Sequence, residues 1–379
     1  MEPLFISIPK TFTDFEPELS TLTSKAHKAG FSPCDISIVR HEEDSVLFAK
    51  GILRYSISIL SPTEIIITGL ECTSSWKVIF GEGKDVVVLP NGVELSWTHS
   101  DSGFIVSSLE ALIARTVFAL ALEYLIEDAL LIARALAHVS CETWPNHLDH
   151  FPKLNPTIPV VNTQRRATAC LGLYPVVDSL ALIEELAPLG LKIMQLRIKD
   201  KLPSEVESDI NQAIQIGKRN NVDVVINDYW KTALDGGADC IHLGQEDLSS
   251  LSSSELMHSN IGLGISTHGY YEILNALQYS PSYLALGHIF PTPTKDMPSA
   301  PQGLIKLGYY QQLIDSIESL LDISLPTVAI GGIDKQRAPA VIDTGVDSVA
   351  VVRAVTQASN KMHAVDGFQS LFGSRELEC

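Results

Sequence analysis

From about residue 171 onward the chain alternates short, unbroken apolar runs with segments of helical periodicity. The runs lie at 171–177, 191–196, 222–226, 239–243, 261–265, 283–286, 327–330 and 348–352. Helical segments at 179–187, 205–219, 270–278, 307–320 and 336–344 separate most of them. Runs that are apolar throughout, rather than at every second position, suit parallel strands buried on both faces. Eight strands alternating with helices predict a small (β/α)8 TIM barrel. A doubly wound open sheet is the alternative, and the polar residues at nearly every strand end favour closure. In such a barrel the functional face is the rim at the strand C-termini.

The first 150 residues carry a weaker pattern. Residues 64–69 read as a buried strand, and 76–80 with 85–89 read as a hairpin around Gly81-Glu82-Gly83. The apolar region 104–139 is interrupted by Glu110, Arg115, Glu123, Glu127, Asp128 and Arg134, which predicts a pair of core helices and not a membrane span. Proline and asparagine then gather between Cys141 and Ala167. This places a smaller α/β domain at 1–145, a linker at 146–167, and the barrel with a C-terminal helix and tail at 168–379.

Composition narrows the function. The chain has 379 residues, 45% hydrophobic and 19% charged, as expected of a globular protein with a sizeable core. A formal net charge of −18 argues against a nucleic-acid partner and requires any anionic substrate to meet a local basic patch. Cys34, Cys72, Cys141, Cys170, Cys240 and Cys379 are widely spaced and form no zinc-ligand pattern, which predicts reduced thiols. Met1-Glu2-Pro3 opens without a basic segment and apolar core, so no signal peptide is expected and a cytoplasmic location is.

The rim positions hold the chemistry. Gln195, Arg197 and Lys199 alternate at the end of the second run, and their common side can be the barrel interior. An inward Arg and Lys either hold an anion or pair internally with a neighbouring Asp. Asp228 and Asp247 close the third and fourth runs and can share one Mg2+, which takes one or two carboxylates plus waters and substrate phosphates. Ser266, Thr267 and His268 close the fifth. His242, His268 and His288 could suggest a metal cluster, but without an accompanying carboxylate spacing they read as wall positions or substrate hydrogen bonds. The loop from Gly287 to Lys295 is rich in hydroxyls and closed by a lysine. Gly331-Gly332 and the end of the eighth run lie where barrels often build a phosphate site.

Taken in order, Gln195-x-Arg197-x-Lys199, Ile226-Asn227-Asp228, His242-Leu243-Gly244-Gln245-Glu246-Asp247, Gly264-Ile265-Ser266-Thr267-His268, Gly287 through Thr292, Thr294-Lys295 and Val328 through Ile333 resemble thiamine phosphate synthase over about half the chain. The resemblance implies a transferase that joins 4-amino-5-hydroxymethyl-2-methylpyrimidine diphosphate to 4-methyl-5-(2-hydroxyethyl)thiazole phosphate, with Mg2+ as cofactor. It implies that Asp228 and Asp247 hold the metal. Gln195, Arg197, Lys199, Asn227 and Lys295 would bind the diphosphate, and Ser266 would lie near the pyrimidine. Arg197, Lys199, Lys295 and Ser266 form the expected catalytic set. Thr292, Thr294, Gly332 and the backbone at Val352 and Arg353 would receive the thiazole phosphate. Two positions depart from the family pattern: Tyr229 stands where many members have Arg, and Arg353 where Ser is common. Arg353 either adds a salt bridge to phosphate or caps a helix.

The order of strand, hairpin and long helix in the first half is similar to the C-terminal half of ribokinase-like hydroxymethylpyrimidine kinases. The segment matching their anion hole is Asp101-Ser102-Gly103-Phe104, where Phe104 cannot act as a base and Asp101 would repel phosphate. A degenerate, inactive kinase remnant is expected, serving in dimerisation or packing; a working fused kinase is the alternative. For the whole chain the competing readings are a tautomerase or regulator relative of the barrel and a non-catalytic sensor of thiamine precursors. A homo-oligomer is compatible with all of them.

Overall fold

The computed structural model describes the chain except residues 1–2, 33–34, 72–73, 100–107, 141, 156–171, 249–258, 293–299 and 374–379. It divides into two compact units, Met1–Pro159 and Val160–Cys379.

The first unit is built on a nine-stranded sheet. Strand β1 (Leu4–Pro9), helix α1 (Phe15–Lys28) and β2 (Ile36–His41) form a crossover whose strands pair in parallel. Strands β3 (Ser45–Lys50), β4 (Leu53–Ser61), β5 (Glu64–Gly69), β6 (Ser75–Phe80), β7 (Lys84–Val88) and β8 (Glu94–Thr98) then run as an antiparallel meander that begins beside β1. Helices α2 (Leu109–Ala121) and α3 (Ile126–Ala135) follow, and β9 (Lys153–Asn155) returns to pair with β8. The unit is therefore mostly antiparallel, and α/β alternation is confined to its first crossover. Strand β9 lies inside the stretch read from sequence as a linker, because its three residues carry too little pattern to announce a strand.

The polar residues that interrupt the apolar region of the two helices each meet a group nearby. Glu110 accepts from the backbone N–H groups of Thr13 and Asp14 at 2.9 Å, just ahead of α1. Arg115 donates to Glu18 of α1 at 2.6 Å. Arg134 donates through Nε and Nη2 to the buried Asp85 of β7 at 2.7 and 2.6 Å. Asp85 also accepts from Trp97 Nε1 at 2.9 Å, so one carboxylate ties the hairpin, β8 and α3 together.

Beyond α3, burial lowers the pKa of the His138 imidazole from 6.5 to about 4, with His99, His150, Arg134 and Arg115 adding to the shift. The folded unit resists protonating this ring. Stability is thus fully present above pH 6.5 and is lost as the pH falls towards about 4. Since the ring is only half-buried and solvent screens it, the loss is on the order of 1 kcal/mol. Urea midpoints at pH 7 and pH 4 would check this. An unchanged difference between the two pH values in His138→Gln would assign the loss to other groups.

The second unit is a closed barrel of eight parallel strands. They are β10 (Gly172–Val177), β11 (Ile193–Leu196), β12 (Asp223–Asn227), β13 (Cys240–Leu243), β14 (Gly262–Thr267), β15 (Tyr283–Gly287), β16 (Thr327–Ile330) and β17 (Ser348–Val351). Helices α4 (Leu180–Leu186), α5 (Pro203–Asn220), α6 (Trp230–Asp235), α7 (Gln245–Leu248), α8 (Tyr270–Ala276), α9 (Gly303–Leu321), α10 (Ala338–Ile342), α11 (Arg353–Thr356) and α12 (Lys361–Gln369) lie along the chain around these strands. The seam between β10 and β17 is reinforced by Ser348 Oγ, which donates to the Gly172 carbonyl at 2.6 Å. Val176, Ile193, Val225, Cys240, Ala285, Val328 and Ala350 fill the interior together with Tyr174 and Tyr283.

Candidate active site

Strand β11 ends at Leu196, so of the three alternating residues only Gln195 lies within it. Gln195 is buried inside the barrel, Arg197 is half-buried, and Lys199 reaches the exposed rim. Lys199 Nζ pairs with Asp228 Oδ2, an Asp partner left open by the sequence, and both side chains are partly exposed to solvent. Asp228 sits at φ 64°, a left-handed turn that Asp tolerates, and its N–H donates to the His242 carbonyl at 3.0 Å. Beside it Asn227 is buried, and among the described residues its Nδ2 has no hydrogen-bond partner. A buried amide donor of this kind is satisfied when an acceptor arrives.

Asp247 stands in the first turn after β13 and accepts from the Gly244 N–H at 3.2 Å. Burial pushes its carboxyl above its ordinary value. The Gly244 N–H opposes this, the Asp228 charge adds to it, and the Lys199 cation also opposes it. Asp228 and Asp247 thus share one electrostatic neighbourhood with Lys199. Among the described residues no group of three or more His, Cys, Asp or Glu is placed to hold a metal ion. A pair of carboxylates, with water and phosphate oxygens completing the shell, is the donor set that Mg2+ takes.

Within the barrel a line of polar contacts leads up to the rim. Gln195 Nε2 donates to the Tyr174 hydroxyl at 3.1 Å, and the Tyr174 and Tyr283 hydroxyls are 2.8 Å apart. Tyr283 lies 2.9 Å from His242 Nδ1, and His242 Nε2 lies 2.8 Å from Ser266 Oγ. Burial pushes both tyrosine hydroxyls well above their ordinary value. Gly264 makes room for this arrangement, since a Cβ there would meet Tyr283 Cζ at 2.0 Å. His268 is separate: its Nδ1 contacts Glu272 at 2.8 Å. His242 and His288 are buried, and His268 is half-buried.

On the opposite part of the rim, the loops after β15 and β16 are docked face to face. Phe290 N–H donates to the Gly331 carbonyl at 3.0 Å. Gly332 has φ 65°, and a Cβ there would meet the Pro291 carbonyl oxygen at 2.7 Å and Phe290 Cβ at 2.9 Å, so only glycine suits the position. Arg337 holds both loops, with Nη1 donating to the Gly332 carbonyl at 2.7 Å and its guanidinium 4.9 Å from the Phe290 ring centroid. Half-buried Thr292 follows this junction, while Thr294 and Lys295 lie outside the described residues. Val352 precedes the short helix α11, and Arg353 opens it with an exposed side chain. Tyr229 turns its hydroxyl to the Lys201 carbonyl at 2.8 Å. Sequence reasoning missed Tyr174, Tyr283 and Arg337. It missed Gln302 as well, whose Nε2 donates to the His268 and Gly287 carbonyls at 2.6 and 2.7 Å.

A closed parallel barrel with carboxylates, cations and a glycine-lined loop junction at one rim defines a (β/α)8 protein of the class that handles phosphorylated small molecules. Residues 173–355 match the family described as thiamine monophosphate synthase. The thiamine-phosphate synthase of Salmonella paratyphi B is 52% identical over 203 residues, covering 54% of this chain and 92% of that protein. That of Escherichia coli O1:K1 is 54% identical over 190 residues, covering 50% of this chain and 86% of that one. A solved structure of thiamine phosphate pyrophosphorylase from Pyrococcus furiosus aligns with 54% of this chain and 96% of its own, at 26% identity and a TM-score of 0.45. The chain belongs to the thiamine-phosphate synthase family.

Proposed function

We propose that the barrel couples the hydroxymethylpyrimidine diphosphate with the thiazole phosphate, releasing pyrophosphate and forming thiamine phosphate. The observation that carries this reading is the grouping of Asp228, Asp247 and Lys199 at one rim of the barrel beside Asn227 Nδ2, which has no partner among the described residues. Asp228 and Asp247 would hold Mg2+, which would neutralise charge developing on the departing diphosphate. Arg197, Lys199 and Lys295 would supply further positive charge there, with Gln195 and Asn227 donating hydrogen bonds. Departure of the diphosphate leaves a pyrimidine cation, and Ser266 would lie against that ring. Thr292, Thr294, Gly332 and the backbone at Val352 and Arg353 would hold the thiazole phosphate so that its ring nitrogen meets the cation. An aromatic nitrogen carries no proton to remove, so no general base is required.

The first unit we infer to be a catalytically silent kinase remnant. The succession of β5, the β6–β7 hairpin and the α2–α3 pair supports that reading. The Asp101–Phe104 chemistry argues against activity, though that segment lies outside the described residues. Among the described residues no helix is long and apolar enough to cross a membrane. A cytoplasmic protein acting on small phosphorylated substrates fits these features.

Purified protein mixed with both substrates and Mg2+ is expected to form thiamine phosphate, and EDTA to stop it. No product from folded protein would move the reading to the tautomerase or sensor alternatives.

A further inference from the structure

The line of contacts from Gln195 to Ser266 joins five strands of the barrel, and each link constrains the next. A tyrosine hydroxyl has one proton to donate. With Tyr174 accepting from Gln195 Nε2, the acceptor that its contacts leave for its own proton is the Tyr283 hydroxyl. Tyr283, accepting from Tyr174, gives its proton to His242 Nδ1. This order of donors calls for a lone pair on Nδ1 and for the ring proton on Nε2, which faces Ser266 Oγ at 2.8 Å. In the same order Ser266 accepts from the imidazole and keeps its own proton for another partner.

We propose that this line holds His242 as its Nε2–H tautomer and thereby makes Ser266 a hydrogen-bond donor to the substrate. The proposal rests on the reading of Ser266 as a pyrimidine contact. It specifies the contact that the Ser266 proton makes: its partner is an acceptor such as an aromatic ring nitrogen. Tyr283 and His242 are positioning residues here, acting through Ser266.

Three further features keep the line in register. Both tyrosines are fully buried and hold their protons throughout the range in which a protein works, so the proton count along the line is constant. Gly264 leaves space for the Tyr283 ring, since a Cβ there would meet the phenol Cζ at 2.0 Å. Gln245 Nε2 donates to the Ser266 carbonyl at 2.7 Å, which fixes the backbone that carries the hydroxyl.

The test uses the full chain with 15N-labelled histidine. The His242 signals are identified as those missing in His242→Gln. Wild type is expected to show a protonated Nε2 and an unprotonated Nδ1. Tyr283→Phe, which removes the O–H facing Nδ1, is expected to let the ring redistribute between tautomers while the circular dichroism stays unchanged. In the coupling reaction, the amide of His242→Gln reaches the Nε2 position and can still donate to Ser266, whereas His242→Asn is too short. The Asn variant is expected to lose roughly tenfold more kcat/KM for the pyrimidine diphosphate, the size of one hydrogen bond. A wild-type ring protonated at Nδ1, or equal losses in the two variants, would overturn the line. An Nε2–H ring with unchanged kcat/KM in Ser266→Ala would instead overturn the placement of Ser266 on the pyrimidine.

Discussion

Replacing Asp228 and Asp247 together by alanine is expected to lower turnover at least about a thousandfold and to abolish its response to Mg2+. Both side chains lie at the rim, where little packing depends on them: Asp228 pairs with Lys199, and Asp247 meets the Gly244 N–H. Alanine at the φ 64° of Asp228 costs about 1 kcal/mol, so the variant should keep its circular dichroism with only a small fall in melting temperature. The loss should fall on kcat more than on KM. Removing two negative charges beside Lys199 eases the approach of the diphosphate, even though its departure is no longer assisted. Product formation against Mg2+ concentration measures both. Turnover within tenfold of wild type and still sensitive to EDTA would rule these two carboxylates out as the metal ligands.

In the first unit Asp85→Ala is expected to cost about 3–5 kcal/mol. The Asp85 carboxylate is completely buried and receives two bonds from Arg134 and one from Trp97. Its removal leaves a guanidinium and an indole N–H without their acceptor in an apolar interior, which is the costly way to break a buried pair. Removing the partner as well, in Asp85→Val with Arg134→Met, should cost clearly less than the two single changes added together. Urea unfolding followed by tryptophan fluorescence would report it, since Trp97 adjoins the change. A cost below about 1 kcal/mol for Asp85→Ala would mean that water reaches Arg134 in the folded unit.

The two halves differed in how much of them could be read from sequence. The barrel strands were legible because burial on both faces writes each one as a solid apolar run, and all eight lie where those runs fall. Of the first unit's strands only β5, β6 and β7 were read; in β2 and β4, for example, serine, arginine and histidine on a half-open face dilute the same signal. Asp85 looked like an ordinary strand-end acid and Arg134 like an interruption in a helix. Nothing local to either announces a contact across 49 residues. At the rim, alternation reached Gln195 within β11 but not Arg197 and Lys199, which follow the end of the strand. The tyrosines behind them were taken into the apolar runs, since a tyrosine in a strand looks like core until its hydroxyl has a partner. The only local trace was Gly264, whose need for glycine appears once the Tyr283 ring is beside it.

The seam between β10 and β17 joins residues 176 positions apart, which bears on how the protein is born. The first sheet is complete in sequence at Asn155, whereas the barrel needs Val351. At about 5–20 residues per second, roughly 10–40 s of translation separate the two points. Through that interval the early barrel strands emerge with an unpaired margin and no last neighbour to cover it. Ribosome-bound chains halted before residue 348 would accordingly be the form most dependent on chaperones, while the preceding unit has already had the residues it needs to fold.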